Sequence, residues 1–444
     1  MTPPARLRAL LLLLLLASLA LVACADDEPA TGEGDETADD DAADDTDDDD
    51  VDDQAEADDD APDADADAAP DTNLADGCVE EPADGVDYFP DKAEFEHAQQ
   101  VDVAYEADHK VLSVETTFTD EPVRFVLVQC GLDPPELEGD LADAPVLDVP
   151  VEGLISLTTA NLAHFDALDA VDRLEGVGTT EFVTTESIRA RIDDGELEGY
   201  GTPEGPPNTE RLIEAAPDVA ILDAFGDSVL DDASQLSGAG VTTVLNADFD
   251  EPDPLGRAEW VKVTGLLLNR EADASEVFDE VEAEYAEVAD LVAEAGERPR
   301  VLLDGPFEGT WFAAGGESLT ATLIEDAGGE YVFADDDSTG SLSYDIETVL
   351  DQGADADVWV GAGSVAGSLD DLVAEDERFA SIAAVEQGEV WAGDAMVSPE
   401  GGNARFERAT LRADELLADF AAIFHPDLVD HEPMYYGRVG EDSP

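Results

Sequence analysis

From about Val146 onward, short β-branched apolar runs alternate with stretches whose apolar positions recur every third or fourth residue. That alternation predicts strands interleaved with helices, and therefore a parallel sheet with right-handed crossovers. The run "VPVEGLISL" predicts a strand ending near Leu157. The next stretch, "TTANLAHFDALDAVDRLEGVG", predicts a helix with Leu162, Phe165, Leu168 and Val171 on one face, closed by Gly176. Residues 256–296 break the alternation. There "GRAEWVKVTGLLLN" and "EADASEVFDEVEAEYAEVADLVAEAG" predict a long helical tract, with Val277, Val281, Tyr285, Val288 and Val292 forming the apolar stripe. Its second piece, roughly 22 residues, would span about 33 Å. Gly296 and Pro299 stop it. Alternation then resumes through "RVLLDG", "SLTATLIEDAGG", "EYVFAD", "SLDDLVAEDERFASIAAV" and "GEVWAG", and "GNARFERATLRADELLADFAAIF" predicts a closing helix. Upstream, "HKVLSVETTF" (109–118) and "VRFVLVQC" (123–130) flank the turn-forming "TDEP" and predict a β-hairpin.

One helix-turn-strand unit occurs twice, as "PPNTERLIEAAPDVAIL" (206–222) and "LSYDIETVLDQGADADVWVG" (342–361). Each copy opens with Asn or Asp followed two positions on by Glu: Asn208 and Glu210, then Asp345 and Glu347. A glutamate in the first turn after such an N-cap favours the helix dipole by about 0.3–1 kcal/mol whatever else it does. No flexible Gly, Ser or Pro linker separates the two α/β halves. Two similar lobes and one stiff connector make an interlobe cleft.

The N-terminus specifies a compartment. Arg6 and Arg8 precede "ALLLLLLASLALVA", which is too short for a membrane span and suits a secretory apolar region. It ends in "LVAC", similar to a bacterial lipobox in which Cys24 is lipidated; ordinary cleavage near Ala23 is the alternative. A lipidated Cys24 places the protein at the cell membrane, anchored on the extracytoplasmic face. Cys78 and Cys130 then remain as an even pair in an oxidising compartment and predict a disulfide, with two reduced buried thiols as the alternative. Residues 25–77 are Asp, Glu, Ala, Pro and Thr in the main, with no Lys or Arg, and read as a self-repelling disordered tether. The formal net charge of −93 excludes nucleic acid as a partner and resembles the compositional bias of salt-adapted proteins. Against that background, a surface carboxylate is weak evidence of function.

The organisation expected is a signal peptide with lipobox over 1–23, lipidated Cys24 and tether over 24–77, and an extension with a hairpin over 78–145. A first lobe over 146–255, a linking helical tract over 256–297, a second lobe over 298–430 and a tail over 431–444 complete it. Ligands of two-lobed α/β proteins sit at the carboxyl ends of strands, beside helix N-termini. In the first lobe this points to Thr158, Thr159, Asn161, Thr179, Tyr200, Thr202 and Phe225. In the second it points to Phe307, Trp311, Phe312, Gly363 and Met396, with Trp311 the best single contact and a core tryptophan its alternative. Arg405 and Arg408 are candidate partners for an anionic chelate; salt bridges to nearby acids explain them equally well.

The five histidines are dispersed, so no preformed transition-metal site is expected and any iron would arrive inside a chelator. "GAGSVAG" lacks dinucleotide-fingerprint spacing, and Ser318 in "GGESLTA" reads as an N-cap, so no catalytic constellation emerges. Neither an enzyme nor a resident cofactor is expected.

Taken in order, "GLISLTTANLAHFDALDAVDRLEGVG", "PPNTERLIEAAPDVAIL", the long helix, "WFAAGGESLTATLIEDAGGEYVF", "LSYDIETVL" and "GNARFERATLRADELLADFAAIFHPDL" resemble one family. It is that of the ABC-transporter substrate-binding proteins for ferric siderophores, haem and cobalamin, and the resemblance covers roughly 146–428. It implies an α/β fold of two Rossmann-like lobes with central, mostly parallel sheets joined by one long rigid helix, here with an N-terminal β-hairpin extension. It further implies a monomer that captures a small-molecule metal chelate, a ferric siderophore first and cobalamin or haem as the alternative. Delivery would be to an ABC permease dimer with its ATPase, docked through Glu210 and Glu347. A lipoprotein enzyme or adhesion module reusing the lobes is the rival from another class.

Overall fold

The computed structural model describes residues 69–201, 207–224, 229–307, 309–362 and 367–440. Each α/β half builds its own central sheet. In the first lobe β5 (Leu154–Ser156), β6 (Leu174–Val177), β7 (Glu198–Gly199), β8 (Val219–Asp223) and β9 (Thr242–Asn246) lie in the order β7-β6-β5-β8-β9. Every pairing in it is parallel. The second lobe contains β10 (Arg300–Leu303), β11 (Pro306–Phe307), β12 (Thr310–Ala314), β13 (Glu330–Tyr331), β14 (Ser341–Tyr344), β15 (Val358–Val360), β16 (Val390–Ala392) and β17 (Gly437–Arg438). Its main sheet runs β13-β10-β15-β16-β17, parallel except at β17. Residues 437–438 of the expected tail therefore close the sheet. A small antiparallel sheet, β11-β12-β14, was not foreseen.

Ahead of the lobes, β1 (Val101–Tyr105), β2 (His109–Val114), β3 (Val123–Gln129) and β4 (Val146–Val149) form a third sheet in that order. The expected hairpin is its β2–β3 pair. The single strand expected through Leu157 is divided: β4 pairs with β3 in the extension, and β5 begins the lobe. Pro150 between them has no N–H to continue a ladder. Cys78 and Cys130 are joined by a disulfide, Cα–Cα 4.9 Å, which ties residues near the start of the described chain to the end of β3.

Two expected helices are shorter than their apolar periodicity suggests. The helix beginning at Leu162 stops at Ala167, Asp169 turns the chain with φ +49°, and 174–177 is strand β6. The closing helix is interrupted, leaving Arg408–Leu411 and Ala413–Phe424 as separate segments. The connector is long, as expected: Glu271–Ala293 is one helix of 23 residues. Its buried stripe is Ala274, Phe278, Val281, Tyr285 and Val292. Val277 and Val288 lie at the edge of the packed face.

Buried carboxylates fix the connector to the extension. Lys110 on β2 and Glu271 at the connector's first residue are both fully buried, and Lys110 Nζ donates to Glu271 Oε1 at 2.6 Å. The same ammonium donates to Asn269 Oδ1 (2.8 Å) and the Leu266 carbonyl (2.7 Å), while Asn73 Nδ2 donates to Glu271 Oε2 (2.7 Å). Nearby, Glu259 accepts from Lys262 Nζ (2.7 Å) and from the backbone N–H groups of Glu96, His97 and Ala98. Burial alone would raise its carboxyl pKa, but Lys262 and these N–H groups hold it below the usual range. Glu251 accepts from the Gln99 and Gln100 N–H groups and from Trp260 Nε1.

Removing one member of a buried pair leaves the other charge uncompensated, at about 3–5 kcal/mol. Lys110→Met should therefore lower unfolding free energy by about that amount in urea titration. A loss below about 1 kcal/mol would contradict this account of how the connector is held.

Candidate ligand-binding cleft

The carboxyl ends of the lobes' central strands lead into loops that converge on a cavity of about 580 Å³. Thr159 and Phe182 line it from the first lobe; Gly361, Gly393, Asp394, Val397, Asn403, Arg405 and Phe406 line it from the second. Such a volume lies within the range of small-molecule sites. Its rim is apolar for a chain this acidic, since Phe182, Val397 and Phe406 all remain exposed. A larger groove of about 1130 Å³ follows the lobe boundary past Thr184, Arg189, Met396, Pro399, Arg408 and Arg412.

The residue between the 3-10 turn Ala404–Phe406 and the helical segment Arg408–Leu411 supplies the interlobe contact. Fully buried Glu407 reaches across to the first lobe, where Oε2 accepts from Thr184 N–H (2.7 Å) and Oγ1 (2.9 Å), and Oε1 accepts from Thr185 N–H (2.8 Å). Thr410 Oγ1 donates to the Ala160 carbonyl, and Thr159 Oγ1 lies 3.4 Å from the Phe406 carbonyl. Across the mouth, a Cβ at Gly402 would lie 2.5 Å from the Phe182 carbonyl oxygen, so only glycine permits that approach.

Each lobe also places one carboxylate at a strand end. Asp223, the last residue of β8, receives Asn246 Nδ2 at 3.3 Å. Crowding by surrounding protein, with Asp248 nearby, pushes its carboxyl up to about 6 although the residue keeps solvent contact. Asp304, just after β10, is pushed up to about 6 by burial, with Arg405 pulling the other way. Behind Asp223, Asp248 accepts from Asn246 and from Arg257 Nε (2.8 Å). His164 is buried beside Thr264 Oγ1 at 3.1 Å, and burial lowers its pKa to about 4, so it is neutral at neutral pH.

The expected site residues divide sharply. Thr159 and Arg405 line the cavity, and Met396 lines the adjoining groove. Thr158 and Asn161 are buried beneath it as structural supports: Thr158 Oγ1 accepts from the Ala160 N–H, and Asn161 Oδ1 accepts from Ser156 Oγ at 2.7 Å. Thr179 precedes a short 3-10 turn, and Tyr200 is 9% exposed under the Arg211 guanidinium. Trp311 requires correction. It is fully buried, donates from Nε1 to the Leu303 carbonyl (3.0 Å) and stacks on Trp359 with ring centroids 5.4 Å apart. Strand alternation along β12 sends Trp311 inward and Phe312 outward, making the tryptophan a core residue.

Phe307 and Phe312 are exposed on the small sheet and do not line the cavity. Arg408 is held by Glu415 (Nε to Oε2, 2.8 Å), the salt-bridge alternative, though it also borders the groove. Thr202, Phe225, Gly363 and Cys24 lie outside the described residues. Among the described residues no cluster of three or more His, Cys, Asp or Glu side chains could hold a metal ion. Sequence reasoning missed Asp223, Asp304 and Glu407; the only signal for the first two was an Asp directly after the apolar runs "VAIL" and "VLL".

The model of a family described as periplasmic binding protein matches residues 154–396. One uncharacterised lipoprotein of Methanocaldococcus jannaschii is 26% identical over 293 residues, which is 64% of this chain and 67% of the relative. A second is 24% identical over 336 residues, 71% of this chain and 80% of the relative. Among solved structures, a periplasmic haem-binding protein from Pseudomonas aeruginosa superposes with a TM-score of 0.50 at 19% identity, covering 65% of this chain and 97% of that one. A periplasmic binding protein from Veillonella parvula gives 0.50 at 16% identity, with 71% and 98% covered. At these identities the structural likeness is one of fold.

Loss of the Glu407 carboxylate should free the Thr184 and Thr185 amides. Glu407→Ala is expected to speed hydrogen exchange at those two amides and to cost about 1–3 kcal/mol of stability. Unchanged exchange there would remove Glu407 as the interlobe staple.

Proposed function

We propose that this chain, which belongs to the periplasmic binding protein family, is the substrate-binding lipoprotein of an ABC importer that captures a ferric siderophore between its lobes. The family is one of solute-binding proteins, not enzymes. The observation that carries the reading is the interlobe cavity of about 580 Å³, rimmed by Phe182 and Phe406 and holding Arg405. Apolar walls with a few fixed polar groups suit a chelate whose organic shell hides its metal.

Capture is followed by delivery. Glu210 and Glu347 both stand exposed in the first turn of their helices, after the side-chain caps Asn208 and Asp345. One carboxylate on each lobe suits a two-fold permease that presents a basic side chain to each. The same two residues also gain helix-dipole stabilisation. Among the described residues no helix is long and apolar enough to cross a membrane. Attachment in this reading comes from lipid on Cys24, with the acidic segment as spacer. The two M. jannaschii relatives are themselves named lipoproteins.

Calorimetric titration of the purified protein with a ferric tris-hydroxamate, a ferric tris-catecholate, haemin and cobalamin tests the ligand. Saturable binding of a ferric chelate, tighter than that of haemin or cobalamin, is expected; preference for haemin or cobalamin would replace the siderophore assignment. Docking is tested separately in liposomes holding the permease and ATPase. Glu210→Lys with Glu347→Lys should abolish chelate-stimulated ATP hydrolysis while leaving calorimetric affinity within about twofold. Undiminished stimulation would remove both glutamates from the docking account.

A further inference from the structure

Asp304 occupies an unusual backbone position. It follows β10 with φ +58°, its N–H donates to the Val360 carbonyl (2.9 Å), and its own carbonyl accepts from Trp359 Nε1 (2.6 Å). Both main-chain groups are thus committed, and the side chain is directed off the strand end. Neighbouring Gly361, with φ +75°, lines the cavity. A Cβ at 361 would lie 3.0 Å from Asp304 Oδ1, so the missing side chain lets the carboxyl pack directly behind this cavity-lining glycine. Among the described residues no N–H or O–H donates to that carboxyl.

Arg405 presents the opposite charge with similar freedom. Its Nη1 donates to the Tyr436 hydroxyl at 3.2 Å, and its guanidinium lies 4.5 Å from the Phe406 ring centroid. Its buried Nε–H has no acceptor. Among the described residues no carboxylate lies within ion-pair distance of it, in a chain where 112 acidic residues face 19 basic ones. Asp304 is close enough to act on Arg405 electrostatically without bonding to it. Arg405 on the cavity wall and Asp304 behind Gly361 are therefore opposite charges not paired with each other, and the Asp304 carboxyl and the Arg405 Nε–H keep hydrogen-bonding capacity in reserve.

We propose that Asp304 sets the charge preference of the cleft: ionised, it offsets Arg405 and favours chelates bearing a donor or a positive tail; protonated, it lets Arg405 draw anionic ones. This rests on the cleft being the chelate site proposed above. The other titratable groups acting on Asp304 are Tyr436 from the tail and Tyr331 on β13, while Asp394 after β16 acts on Arg405. Burial raises both tyrosines above their ordinary values, so they stay neutral across the range in question. Asp304, pushed up to about 6, changes charge within it. As pH falls through that value a negative charge behind the Gly361 wall is lost, and an anionic tail gains relative to a cationic one.

The test uses three ferric tris-hydroxamates with one common core and an ammonium, an acetamide or a carboxylate tail. Affinities are measured by calorimetry at about pH 7.5 and about pH 5.5. The parent carries Asp223→Asn, because Asp223 titrates in the same range. In that parent the carboxylate-to-ammonium affinity ratio should rise severalfold at the lower pH. Asp304→Asn should raise the ratio about tenfold at the higher pH and flatten its pH dependence. Asparagine tolerates the left-handed backbone at 304, so the variant keeps the loop. Arg405→Gln should lower the ratio at both values, mainly through the carboxylate chelate. A ratio in Asp304→Asn equal to the parent's at both pH values overturns the selector while leaving the iron-chelate reading intact. Failure of all three chelates to bind the wild-type protein would overturn both.

Discussion

The cleft exists because three buried carboxylates hold the connector in place. Glu251, Glu259 and Glu271 sit where the helical tract begins, and each gathers donors from the segment that precedes the first lobe. A buried ionised carboxylate is costly unless paired and hydrogen-bonded, and here Glu259 and Glu271 each have a lysine as well as neutral donors. The extension upstream of the lobes is therefore a working part of the core. It clasps the start of the rod from which both lobes hang. The chain has only three lysines, and two of them, Lys110 and Lys262, are inside this clasp. Where surface charge is overwhelmingly negative, cations remain where an interior carboxylate requires one.

From that fixed rod the lobe geometry follows. The Glu271–Ala293 helix packs along the closing helix Ala413–Phe424, and Glu407, at the start of the short segment ahead of that helix, reaches into the first lobe. The same short stretch carries Arg405 and Phe406 into the cavity. The staple and the cavity wall thus come from adjacent residues, so a change in lobe separation must move that wall. A stiff connector with a buried interlobe carboxylate favours small closure movements over wide hinge opening.

Element type and order were legible in the sequence because they follow from periodicity. The β8 and β15 strands, the paired Asn208 and Asp345 caps and the long connector all follow from spacing of apolar and capping residues. Boundaries were less so. Leu168 and Val171 continue a helical pattern, but Asp169 adopts a left-handed conformation and the chain leaves the helix. Trp311 was misjudged because its neighbouring glycines suggested a loop, whereas β12 alternation sends it into the core. Asp223 and Asp304 were hidden for a different reason. In so acidic a chain another aspartate conveys almost nothing, and only the fold shows which ones stand at the carboxyl ends of central strands.

The location of the metal in a bound complex addresses the central claim most directly. Crystals grown with a ferric chelate and measured at the iron absorption edge would give one anomalous peak per chain. The account places that peak between the lobes, within reach of Arg405 and Phe406 on one side and Thr159 and Phe182 on the other. A well-occupied peak on the outer face of either lobe, with the interlobe cavity filled by solvent, would contradict it.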